Sequence, residues 1–79
     1  MDYDTDKVDD AVLALLYLTM HGDKFGSRAW KGHDWNALNR LYEKGLIGDP
    51  KSKAKSVVMT EEGQARSVEL FWKLFGKPA

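Results

Sequence analysis

The sequence contains no cysteine. That excludes a disulfide framework, a cysteine nucleophile and any cysteine-based zinc site. Neither sign of charge prevails, since 12 Lys and Arg offset 12 Asp and Glu. Long apolar runs are missing too: the longest, Ala11 to Leu18, has eight residues, far below the ~20 that a membrane helix needs. The opening Met1-Asp2-Tyr3-Asp4-Thr5-Asp6 is acidic, where a signal peptide requires a basic region followed by a long apolar one. The expectation is a cytoplasmic protein with no membrane partner. What is present, 43% apolar and 30% charged residues in 79 positions, describes one small globular domain spanning residues 1–79. A chain this short buries only a little over ~60% of its unfolded surface, which makes a second copy a natural source of further burial.

The neutral total conceals an asymmetry. Residues 1–23 carry six acids and one base, net −5. Residues 24–55 carry eight bases (Lys24, Arg28, Lys31, Arg40, Lys44, Lys51, Lys53, Lys55) and three acids, net +5, while residues 56–79 balance three against three. Such a dipolar chain suits either an anionic partner or head-to-tail pairing with another copy.

Periodicity divides the chain into a helix, a loop, a second helix, a hairpin and a third helix. Thr5 is the expected N-cap of the first helix, in which Val8, Val12, Leu15, Leu16 and Thr19 recur at three- and four-residue steps. His21-Gly22-Asp23 stops it, and glycines 22, 26 and 32 break the next stretch into loop with at most one turn around residues 27–31. Asp34 caps a helix through Lys44, with Leu38, Leu41 and Tyr42 inward and Asn39, Arg40 and Glu43 outward. Gly45 ends it. Leu46-Ile47, a turn at residues 48–52, and Lys55-Ser56-Val57-Val58-Met59 read as a β-hairpin. Thr60 then caps the last helix, with Ala65, Val68, Phe71, Trp72 and Phe75 on one face and Leu70 and Leu74 beside them, until Gly76 and Pro78. The fold class expected is α+β.

The phrase Leu38-x-x-Leu41-Tyr42-Glu43-Lys44-Gly45-Leu46-Ile47, a short basic turn, and Val57-Val58-Met59-Thr60-Glu61-Glu62-Gly63 resembles the recognition helix, wing and following helix of MarR-type and PadR-type winged-helix regulators. The resemblance covers residues 34–63 and implies a small winged-helix-like domain with a helix-turn-helix and a double-stranded DNA partner. It also implies a homodimer through the terminal helix. Chain length and the Ala29-Trp30-Lys31-Gly32-His33-Asp34-Trp35 signature are similar to a small bacterial winged-helix-like family without an assigned function. Two features depart from the fuller pattern: residues 21–33 leave room only for a turn before the recognition helix, and the wing tip reads Asp49-Pro50-Lys51-Ser52-Lys53 in place of Asp-x-Arg.

Under the resemblance, the outward N-terminal residues of the second helix, Trp35, Asn36, Asn39 and Arg40, would face base edges. Asn reads adenine and Arg reads guanine through paired hydrogen bonds. Lys51, Lys53 and Lys55, at alternate positions on one face of the hairpin, and Lys44 beside them would contact phosphates. The alternative for these lysines is a solvated hairpin edge kept from pairing with other chains. Trp30 and Trp35 are expected mainly as buried anchors of the loop, with base, peptide or ligand stacking as the alternative. Leu70, Phe71, Trp72, Leu74 and Phe75 belong to a stripe wider than one intramolecular contact needs, which points to a dimer interface; the alternative is that the first helix covers all of it.

No metal site, cofactor or catalytic residue is expected. His21 and His33 lack further ligands at suitable spacing, no serine sits in G-x-S-x-G, and Gly22-Asp23-Lys24-Phe25-Gly26-Ser27 is not a phosphate loop. The chain is therefore expected not to be an enzyme but a nucleic-acid-associated module, a small transcriptional regulator. The rival of a different class is a protein-interaction module on the same fold that does not bind DNA.

Overall fold

The computed structural model of the chain describes residues 2–23 and 26–78. Lys24, counted above among the bases of the middle segment, and Phe25 lie outside them.

Helix α1 (Thr5–Leu16) begins one residue before the expected cap position would allow: Asp4, not Thr5, is the N-cap, its carboxylate accepting the Lys7 amide at 3.1 Å. A 3-10 turn (Tyr17–Thr19) extends α1, and two strands follow, β1 (His21–Asp23) and β2 (Gly26–Trp30). Helix α2 (Trp35–Glu43) starts at Asp34, whose carboxylate accepts the Ala37 amide at 3.0 Å. Strand β3 (Ser56–Met59) leads into α3 (Glu61–Phe75), capped by the Thr60 hydroxyl on the Gly63 amide.

The result is three helices and a three-stranded antiparallel sheet in the order β1-β2-β3, a small α+β domain compatible with a winged-helix layout. Two elements refine the reading of the sequence. Residues 21–30, expected as loop with one turn, are β1 and β2, paired His21 to Arg28 through Asp23 to Gly26. The expected hairpin of residues 46–59 keeps only its second arm as a strand, and the first is reduced to one bridge, Ile47 to Met59. β2 takes the main partnership with β3, from Ser27–Met59 to Trp30–Ser56.

Strand alternation sorts the side chains into two faces. Ala29, Val57 and Met59 point into the core with Leu13, Leu16, Leu38, Leu41 and Ile47. The other face has no layer over it, so Trp30 and Val58 are exposed and Arg28 is half-buried. All the helices thus cover one side of the sheet, and the molecule is a slab of 37 × 33 × 19 Å.

Helix α3 turns inward a face lined by small residues, beside the apolar stripe read from the sequence. Gly63, Ser67 and Leu70 are buried, while Ala65, Trp72 and Phe75 are exposed. Small residues decide this. A Cβ on Gly63 would fall on the carbonyl of Leu46, and the Ser67 hydroxyl donates to the carbonyl of Leu13 at 2.7 Å. Both let α3 approach its neighbours more closely than a large side chain permits. Tyr42, expected inward, is also exposed. Gly45 does adopt the left-handed exit, with φ of 76°.

Candidate nucleic-acid interface

Two of the predicted phosphate and base contacts, Arg40 and Lys44, are engaged within the fold. Arg40, expected to point outward, reaches instead to α1. Its Nε donates to both oxygens of Asp9, at 2.8 and 2.9 Å, and its Nη2 lies 2.8 Å from Oδ1. Lys44 donates to the same carboxylate at 2.9 Å and to Asp6 at 3.1 Å. Asp9 is fully buried, and a buried carboxylate needs charged partners of this kind. The hydrogen bond to Asp9 holds the Lys44 ammonium above its ordinary pKa, opposed by desolvation and reinforced by Asp6. Two cations facing two carboxylates leave no net charge for a phosphate.

Lys51, Lys53 and Lys55 are exposed, in an irregular segment between Gly48 and β3. They do not alternate along a strand as expected, because Pro50 is buried and the chain turns through residues 50–55 without ladder pairing. Among the described residues none of the three ammonium groups is in an ion pair. Lys31 holds the segment in place: its ammonium donates to the carbonyls of Pro50 and Ser52 at 2.7 and 2.6 Å, and its amide donates to the carbonyl of Lys55 at 3.1 Å. Asn36 is exposed and Asn39 is half-buried on α2.

The two indoles expected as buried anchors are half-exposed, Trp30 at 53% and Trp35 at 48%. Trp30 is on the outer face of β2, its amide donating to Thr19 Oγ1 at 2.9 Å. Its ring lies over Gly32, where a Cβ would overlap the six-membered ring, and meets the His33 ring edgewise with centroids 5.9 Å apart. Burial pushes the His33 pKa down from its ordinary value. Trp35 opens α2, with the Lys31 ammonium 5.8 Å from its ring centroid.

Arg28 and Lys31 belong to this surface and escaped the sequence reading. Arg28 Nε donates to Ser56 Oγ at 2.7 Å and its Nη2 to the Ser56 carbonyl at 2.9 Å. These partners are neutral, so the guanidinium keeps its charge. The signal was the alternation Ser27-Arg28-Ala29-Trp30, small in and large out, masked by flanking glycines.

On α3 and the turn after α1, Tyr17, Phe71, Trp72 and Phe75 form a chain of aromatic contacts with centroids 4.8 to 6.2 Å apart. Beside it, Ala11, Leu70, Leu74 and Phe75 line an open concavity of about 390 Å³, together with Lys7, Asp10 and Lys73. Of the expected dimer residues, Trp72, Leu74 and Phe75 are exposed, Phe71 is half-buried, and Leu70 is committed to the core. Among the described residues no helix is long and apolar enough to cross a membrane, and no three His, Cys, Asp or Glu residues cluster as metal ligands.

Residues 4–77 match the profile of a family described as a domain of unknown function, DUF6429. The chain is 57% identical over 75 residues to an uncharacterized protein, y4hR, of the bacterium Sinorhizobium fredii (strain NBRC 101917 / NGR234), covering 95% of this chain and 97% of that relative. No solved structure matches the chain.

Proposed function

Because this chain belongs to the DUF6429 family, whose description assigns no activity, we propose a function from its own geometry: a nucleic-acid-associated module on an abbreviated winged-helix fold. Phosphates are contacted through Lys51, Lys53 and Lys55. One observation carries the reading. These three ammonium groups are exposed and unpaired among the described residues, while Arg40 and Lys44 are neutralised by Asp9 and Asp6. Arg40 and Lys44 therefore leave the contact set. Asn36 remains as an exposed polar group on α2, and selectivity for a duplex sequence would make the protein a small transcriptional regulator.

Binding dominated by phosphate contacts falls steeply with salt. Titration into labelled nucleic acid at ~50 mM and ~200 mM salt is expected to show binding at the lower concentration that collapses at the higher. The triple variant Lys51→Ala, Lys53→Ala, Lys55→Ala should lose most of it. Binding indifferent to salt and to the triple variant would remove the proposal.

A second reading, a protein-interaction surface, is favoured by the exposed Trp72, Leu74 and Phe75 of α3 beside an apolar concavity. Its occupant in our reading is a second copy of the chain, making a homodimer. The triple lysine variant leaves this association unchanged.

A further inference from the structure

We infer that the uncovered face of the sheet takes single-stranded nucleic acid, a base stacking on Trp30 while Arg28 and the 51–55 lysines hold the phosphates. This rests on the nucleic-acid reading above and names its substrate class.

A base can stack only on a ring that is exposed and held still. Trp30 is 53% exposed, and its indole is fixed from beneath by Gly32 and at the edge by His33. Arg28, two residues earlier on the same face, has its guanidinium held by Ser56, the residue that pairs with Trp30 across the strands. Lys31 ties the lysine segment to this end of the sheet through the carbonyls of Pro50, Ser52 and Lys55. An aromatic platform thus shares one end of the sheet with Arg28 and with the segment that carries Lys51, Lys53 and Lys55, four cations none of which is in an ion pair among the described residues. Of the acids near this end of the sheet, Asp34 accepts the Ala37 amide as the cap of α2 and Asp49 accepts the Lys51 amide at 2.9 Å.

The chemistry selects unpaired bases. Stacking on a side chain requires a free base face, which a duplex does not offer along its length, and positive charge alongside suits the backbone of the same strand. Groove reading by α2 is poorly served here. Arg40 is bound to Asp9, and the half-exposed Trp35 stands at the helix N-terminus.

The test compares a labelled oligo-dT of about 15 nucleotides with a mixed-sequence duplex of equal length, by fluorescence anisotropy. We expect the single strand to bind more tightly. With about four phosphates contacted, its affinity should fall about 50-fold between ~50 and ~200 mM salt. Trp30→Ala should weaken oligo-dT binding by roughly 10- to 100-fold, with Trp30→Phe recovering most of it. Gly32→Ala, which displaces the indole without removing it, should weaken binding as well. Far-UV circular dichroism establishes that the variants are folded, and Trp30→Phe keeps the comparison informative if the alanine variant unfolds. Equal or tighter binding to duplex, or indifference to every change at Trp30, overturns the single-strand inference and leaves the nucleic-acid reading standing. Absence of binding to either nucleic acid overturns both and leaves the face to a protein partner.

Discussion

A carboxylate removed from water must be compensated nearby, and Asp9 illustrates how strictly. It is fully buried on α1 and is met by Arg40 and Lys44, which are 31 and 35 residues away in sequence. The network joins α1 to α2 by charge where side chains of the core join them by packing. Removing one member of such a set leaves the others unpaired in a poorly solvated place, a loss of about 3–5 kcal/mol for a fully buried pair. Arg40 and Lys44 keep some solvent access, so Asp9→Ala should cost about 3 kcal/mol in urea unfolding, at the lower end of that range. The pH dependence follows from Lys44, whose folded pKa lies above the ordinary lysine value of ~10.4. Its contribution is complete below the unfolded pKa and is lost as pH rises through the folded one. The wild type should therefore weaken in the alkaline range more than Asp9→Ala does. Parallel alkaline curves for the two proteins would show that Asp9 does not hold the Lys44 proton.

At the scale of elements, glycines test how closely the pieces fit. Gly45 has positive φ and open space around it, so Gly45→Ala adds only backbone strain, about 1–2 kcal/mol. Gly63 is helical, and there a Cβ meets the Leu46 carbonyl, which itself accepts from Thr60. Gly63→Ala must displace backbone and should destabilise more than Gly45→Ala, as denaturant midpoints would report; the reverse order would mean that α3 is free to shift. The same contrast explains what the sequence made legible. Caps at Asp34 and Thr60 and the exit at Gly45 were readable because each acts on its own neighbours. β1 and β2 were not, since the inward residues of β2 are Ser27 and Ala29, too small to register as an apolar alternation. The inward face of α3 was not legible for a related reason: its buried residues include Gly63 and Ser67, which hydrophobicity does not mark. Of the candidate site, the lysines were visible as charge. The withdrawal of Arg40 was not, because its partner belongs to another element and the pairing depends on the packing of both helices.

The whole molecule has two unlike surfaces. One is the open sheet with its cations; the other includes the α1 and α3 surface with Trp72, 57% exposed, next to Leu74 and Phe75. A symmetric dimer through the second face would use the same patch on each copy and leave both sheet faces free. The aromatic side chains there supply the kind of large, rigid contact on which interfaces depend. Charge on that patch is mixed, with Lys7 and Lys73 near Asp10, so a two-fold arrangement can set lysine of one copy against aspartate of the other. Wild-type protein should sediment as a dimer at about 100 μM, near the weak end of specific association. Trp72→Lys with Phe75→Lys should sediment as a monomer, with thermal stability per chain little changed, because neither side chain belongs to the core. Two linked sheet faces also bind one long strand more tightly than a single face does. The monomeric variant should therefore match wild type on a short oligonucleotide and fall behind it on one long enough to reach both faces. A wild type that is monomeric at this concentration would end the dimer reading, and equal affinity for the long strand would show that the two faces do not act together.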